Sequence, residues 1–149
     1  MTIVVVPSVF PGMGDSLAII NGANGSSFTH STISELITLS TSGTTTDSTA
    51  NLLPANSIIH GVCAYITTTI ATATDWKLGD ATIAGRFTAA SATLTAGTAS
   101  VGLVHIDLTG TSGPRQTAAA KVRVTTSGTP SAGKIRVVVY YEQFIAPSS

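Results

Sequence analysis

The stretch Lys134 to Phe144, K-I-R-V-V-V-Y-Y-E-Q-F, constrains the fold more than any other part of the chain. It is the densest run of β-branched and aromatic residues in the sequence, the types that suit a pleated, packed surface. Side chains alternate between the two faces of a strand. One face therefore carries Ile135, Val137, Val139 and Tyr141, and the other carries Arg136, Val138, Tyr140, Glu142 and Phe144. The first face is wholly apolar and belongs in a core. The second is apolar in the middle with charge on either side, which is not the pattern of a strand facing water. Two arrangements satisfy it. Either the strand is central and covered on both faces, or its second face meets another subunit, with Val138, Tyr140 and Phe144 as the expected oligomer interface.

The rest of the composition agrees with strands. Only 9% of the residues are charged, against about 25% in an average soluble protein. The missing polarity is supplied by Thr, a strand former, and Ser, a turn former. At 149 residues the chain fits one all-β domain and can bury a core without staples. Seven basic residues balance seven acidic ones. That leaves no electrostatic footprint for nucleic acid and little repulsion between copies. The single cysteine, Cys63, lies in an apolar run, so no disulfide framework exists and a buried structural thiol is expected. The opening Met1 to Pro7 lacks the basic start of a signal peptide, and no apolar run approaches membrane-spanning length. Synthesis in a cytoplasm and no membrane partner are the corresponding expectations.

Residues 1–33 differ from the remainder. Pro7, Pro11, Gly12, Gly14, Gly22 and Gly25 punctuate them, yet Val4, Val5, Val6, Val9, Phe10, Leu17, Ile19 and Ile20 keep them apolar. A disordered tail is poorer in such residues. The expectation is an extended N-terminal arm with apolar anchors, followed by a domain over 34–149. The other reading is a first strand folded onto its own domain. Strands are then expected at Glu35 to Ser40, Ser57 to Thr69, Asp75 to Leu78, Thr82 to Phe87, Thr98 to Leu108, Thr117 to Thr126 and Lys134 to Phe144. In the Ser57 strand, strict alternation puts Ile58, Val62, Ala64 and Ile66 on one face and Ile59, Cys63 and Tyr65 on the other. The last two strands, joined by Ser127 to Gly133, read as a hairpin. Short strands with turns between them suggest a sandwich or barrel.

Candidate chemistry is sparse. Gly128-Thr-Pro-Ser-Ala-Gly133-Lys134 matches a phosphate-binding loop as far as the lysine, but Ile135 stands where a magnesium-holding hydroxyl is needed. The segment also enters a strand, not a helix whose N-terminus faces phosphates. His105 and Asp107 share a strand face and, with His60, would make three zinc ligands if their strands met. A structural histidine and a solvated aspartate are the commoner outcome. No nucleophile-elbow glycine pattern surrounds any serine. Asn24-Gly25-Ser26 is a formal glycosylation site, and Asp75, Asp80 and Asp107 match no calcium-loop spacing. Trp76 suits a core or interface anchor better than a carbohydrate platform. The expectation is no catalytic residue, no cofactor, no metal and no enzymatic activity.

From Leu52 onward the chain resembles small structural proteins of tailed bacteriophages. The likeness is carried by Leu53-Pro54-Ala55-Asn56-Ser57-Ile58-Ile59, by Leu78-Gly79-Asp80 leading to Arg86-Phe87, and by Gly110-Thr-Ser-Gly-Pro-Arg115-Gln-Thr-Ala-Ala-Ala120-Lys-Val-Arg-Val124. These are similar to segments of virion proteins of the decoration (capsid cement) or fibre type. The resemblance implies a β-sandwich or jelly-roll protomer, a homotrimer and a place on the capsid exterior, with the major capsid protein as partner. It offers no catalytic residues. Under a cement role, Val4, Val5, Val6, Phe10, Ile19 and Ile20 are the expected capsid-attachment residues. Under the fibre role, a receptor-binding module would recognise host glycans through Trp76, Tyr65 and loops such as Thr41 to Asn51.

Overall fold

The computed structural model describes residues 17–20, 27–97 and 115–145. Along these the chain is an all-β domain. Its strands are β1 (Leu17–Ile20), β2 (Ser27–Thr38), β3 (Thr45–Asp47), β4 (Ser57–Ala71), β5 (Trp76–Gly79), β6 (Arg115–Gln116), β7 (Arg123–Thr126) and β8 (Ala132–Ile145). They form two antiparallel sheets, one in the order β1-β2-β8-β4-β6 and the other β3-β7-β5. No helix among the described residues is long and apolar enough to cross a membrane.

The run that dominates the sequence is the middle of the larger sheet. β8 pairs with β2 along the whole length of β2, from Ser27 opposite Ile145 to Thr38 opposite Lys134. Its other edge pairs with β4. Ile135, Val137 and Val139 are fully buried on its inner face, flanked by Ile37 of β2 and by Val62, Ala64 and Ile66 of β4. Leu52, Leu53, Trp76, Leu78, Phe87, Val122 and Val124, from the small sheet and its loops, complete one contiguous core. Trp76 is fully buried and its indole N–H donates to the Thr93 carbonyl at 2.8 Å, so it anchors the core and offers no platform for a sugar.

Several local expectations are corrected. The last two strands are not a hairpin: β7 pairs with β3 and β5, while β8 pairs with β2 and β4. A hairpin would set their apolar faces side by side on one sheet, whereas stacking lets the two faces cover each other. The crossing segment is held by Thr72, whose hydroxyl donates to the Thr129 carbonyl and accepts from the Ser131 N–H. Thr82 to Phe87 is not a strand. The Asp80 carboxylate accepts from the Thr82 and Ile83 N–H groups, each at 2.8 Å, and so folds the backbone into a turn. Arg86 closes this turn with an ion pair to Asp80 at 2.7 Å. Of Thr117 to Thr126, only Arg123–Thr126 is strand. Thr98 to Leu108 lies outside the described residues.

A bulge corrects the alternation in β4. The pairing with β8 steps from Ile59 opposite Tyr141 to Gly61 opposite Tyr140, with His60 as the extra residue. Ile59 therefore joins Val62, Ala64 and Ile66 on the inner face, and Ile58 falls on the other side. Strict period-2 counting fails at any inserted residue. At the N-terminal side, β2 starts at Ser27, so residues 27–33 pair with β8 as part of the sheet. β1 lies antiparallel on β2 and forms the edge of the larger sheet among the described strands.

Two predictions follow from the buried and hydrogen-bonded carboxylates. Asp80 is 6% exposed and the Arg86 side chain 11%. Removing one partner of such a pair strands the other charge, so Asp80→Ala should lower stability by about 3–5 kcal/mol in denaturant melts. The second concerns pH. Burial raises the Glu35 carboxyl, but the N–H groups of Thr49 and Ala50 and the charge of Lys121 outweigh it and hold the group below its ordinary value. The hydrogen bonds from the Arg123 guanidinium, opposed by some desolvation, do the same for Asp47. A depressed carboxylate contributes stability that is present above its unfolded pKa and lost as pH falls through its folded one. The loss should therefore begin as pH falls into the ordinary carboxylate range and deepen below it. Glu35→Gln should flatten the melting temperature against pH in that window.

Candidate functional site: the outer face of the large sheet

The second face of β8 points away from the core. Register and alternation set its residues in rows across three strands. Leu36, Arg136 and Tyr65 form one row, and Ser34, Val138 and Cys63 the next. Thr32, Tyr140 and Gly61 form a third, and beyond it His30 stands opposite Glu142. Leu36 is 38% exposed, Tyr65 42% and Tyr140 40%, while Val138 is half-buried. The surface is thus apolar and aromatic with one cation, Arg136, set within these rows. Its physical cause is the choice β8 makes between its faces: Ile135, Val137 and Val139 need full dehydration, and the second sheet covers only that side.

Cys63 sits on this face and is half-buried, not fully enclosed as expected from its apolar run. Burial raises its thiol above the ordinary value, which disfavours the thiolate.

One end of the face carries a cluster that the sequence did not disclose. His30 Nε2 lies 2.8 Å from Glu142 Oε1, and His60 Nε2 lies 3.0 Å from the same oxygen. The two imidazole rings stack, with centroids 5.8 Å apart and planes at 26°. Both histidines are exposed, whereas the Glu142 side chain is only 14% exposed. His30 reaches Glu142 because the two are register partners, and His60 reaches it because the bulge in β4 turns an extra side chain to this face.

The residues singled out from the sequence are distributed as follows. Val138 and Tyr140 stand together on the outer face, and Phe144 lies farther along β8 opposite Phe28. Ile19 and Ile20 lie in β1, opposite Phe28 and Ser27. Val4, Val5, Val6 and Phe10 lie outside the described residues, as do His105 and Asp107. Leu36 and Tyr65 were missed as members of the face, although each alternates outward beside a core residue. Glu142 was visible only as the charged end of a strand.

No protein-family model matches the chain, and no curated protein matches it. Among solved structures it is similar to a chain of the cyanophage Pam1 capsid asymmetric unit. The identity is 21%, over 93% of this chain and 94% of that one, with a TM-score of 0.47.

The two faces of β8 should respond differently to substitution. Ile135→Ala should cost about 2–5 kcal/mol, the usual range for a buried isoleucine. Leu36→Thr and Tyr140→Thr should each change stability by about 1 kcal/mol or less, because partly exposed positions lose little. Equilibrium denaturation of the three variants measures the contrast.

Proposed function

We propose that this chain is a structural protein of a phage virion and, within that class, a capsid decoration (cement) protein. It associates with copies of itself, as a trimer, and binds the major capsid protein on the shell exterior. The observation that carries this reading is the open outer face of the five-stranded sheet, where Leu36, Tyr65, Val138 and Tyr140 meet solvent around Arg136. The phage-like segments support it. In this fold they act as scaffold: Leu53 bridges Ala120, and Asp80 with Arg86 pins a turn.

Magnitudes favour a multivalent role. Fully burying a large apolar side chain is worth about 1.5–3 kcal/mol, so residues already more than half covered gain about 1 kcal/mol each. A few such contacts do not hold two isolated proteins together against the cost of association. Repeated across an oligomer on a repeating lattice, they do, because each further contact is intramolecular. A zero net charge does not oppose such crowding of copies. The arm supplies the second element of attachment. β1 ends the sheet with a free edge among the described strands, and Val4, Val5, Val6 and Phe10 precede it in sequence. An edge strand and the chain leading to it suit backbone pairing with a capsid strand or a neighbouring copy.

The fibre reading loses its main residue, since Trp76 is buried. Copy number separates the two roles, a cement protein being present on the scale of the capsid protein itself. The direct test uses capsids stripped of their native decoration. Full-length protein should co-sediment with them and run as a trimer in light scattering. A form lacking residues 1–16 should keep its melting temperature and bind more weakly, and Val138→Glu with Tyr140→Glu should dissociate the trimer. A monomeric parent, or a truncated form that binds as tightly as the parent, would count against the proposal.

A further inference from the structure

We propose that His30, His60 and Glu142 form a binding site for one divalent transition-metal cation of the zinc class. Each residue offers one ligand atom, and the three atoms lie within 4.8 Å of one another. Zinc binds imidazole nitrogen at about 2.0–2.1 Å and carboxylate oxygen at about 2.0–2.2 Å, so ligand atoms around it stand about 3–3.5 Å apart. The observed nitrogen-to-oxygen separations of 2.8 and 3.0 Å are already near that spacing. The remaining adjustment falls on two exposed imidazoles.

The backbone prepares the site. Its ligands come from three neighbouring strands, β2, β4 and β8, which the long ladders hold in fixed register. The bulge at His60 is what completes the set. Without the extra residue, strict pairing would put Ile58 and Gly61 on this face and leave one imidazole against one carboxylate. Bulges serve this purpose elsewhere, by re-aiming a side chain.

The donor set selects the ion. Two imidazoles and one carboxylate suit zinc, nickel or copper, whereas magnesium and calcium prefer all-oxygen shells. Three protein ligands on an exposed face leave an outward position for water or for a group from another molecule.

Calorimetric titration of the full chain with zinc chloride tests the proposal, and magnesium chloride serves as the control. The expected result is one zinc per chain, a melting temperature that rises with zinc, and no response to magnesium. His30→Ala, His60→Ala and Glu142→Gln should each weaken zinc binding by at least about 100-fold, the upper end of what losing an outer-shell partner alone costs. Each should melt close to the parent in the absence of metal, which separates ligation from folding. The third histidine of the sequence, His105, provides the internal control, and His105→Ala should leave the affinity unchanged. Zinc binding that is absent, that survives His60→Ala and Glu142→Gln, or that is lost with His105→Ala would overturn the assignment.

Discussion

The described fold depends on β8 being hydrogen-bonded along both edges. Its partners β2 and β4 are also long, so three extended strands share one ladder and behave as a single plate. A plate of this kind has two faces and needs at least one of them dry. Ile135, Val137 and Val139 select the dry face, and the small sheet with Trp76, Leu78 and Val124 closes over it. The loops then do local work. Asp80 bends the chain out of β5, Glu35 gathers the Thr49 and Ala50 amides, and Thr72 holds the passage into β8.

The surface consequence lies on the other side of the plate. A strand long enough to anchor two neighbours must present its alternate side chains somewhere, and here Val138 and Tyr140 form an apolar, aromatic middle between Arg136 and Glu142. Such a face gains little from any one contact, since its residues are already partly covered by their neighbours. Its energetic value comes from repetition of the contact, not from any single one. The same rigidity that fixes the apolar rows also fixes the histidines and Glu142 at their end, so side chains from three strands meet without any loop having to order.

Much of this was legible in the chain. The alternation in this strand placed Ile135, Val137 and Val139 on the buried face and Arg136, Val138 and Tyr140 on the other, because period-2 patterning is local and β8 is unbroken there. The buried role of Trp76 was legible for a different reason, since a large aromatic side chain favours a packed anchor. Other features escaped, the strand expected at Thr82 to Phe87 and the enclosed Cys63 among them. The joining of β7 and β8 read as a hairpin because a short turn between apolar runs is the common hairpin signal, and nothing local distinguishes a hairpin from a crossing between sheets. The face of Ile58 and Ile59 was inverted because a bulge leaves no mark in hydrophobic periodicity.

What the sequence determined by itself was the all-β class, the identity of the dominant strand and the split of that strand into a core face and an ambiguous face. These follow from side-chain alternation and strand propensity, which act between near neighbours. Only the tertiary structure decided that β8 is central, that its second face lies open, and that His30, His60 and Glu142 meet. Those outcomes rest on register between strands far apart in sequence, and on one inserted residue that shifts it. Register is set by how whole faces pack, so no single segment contains it.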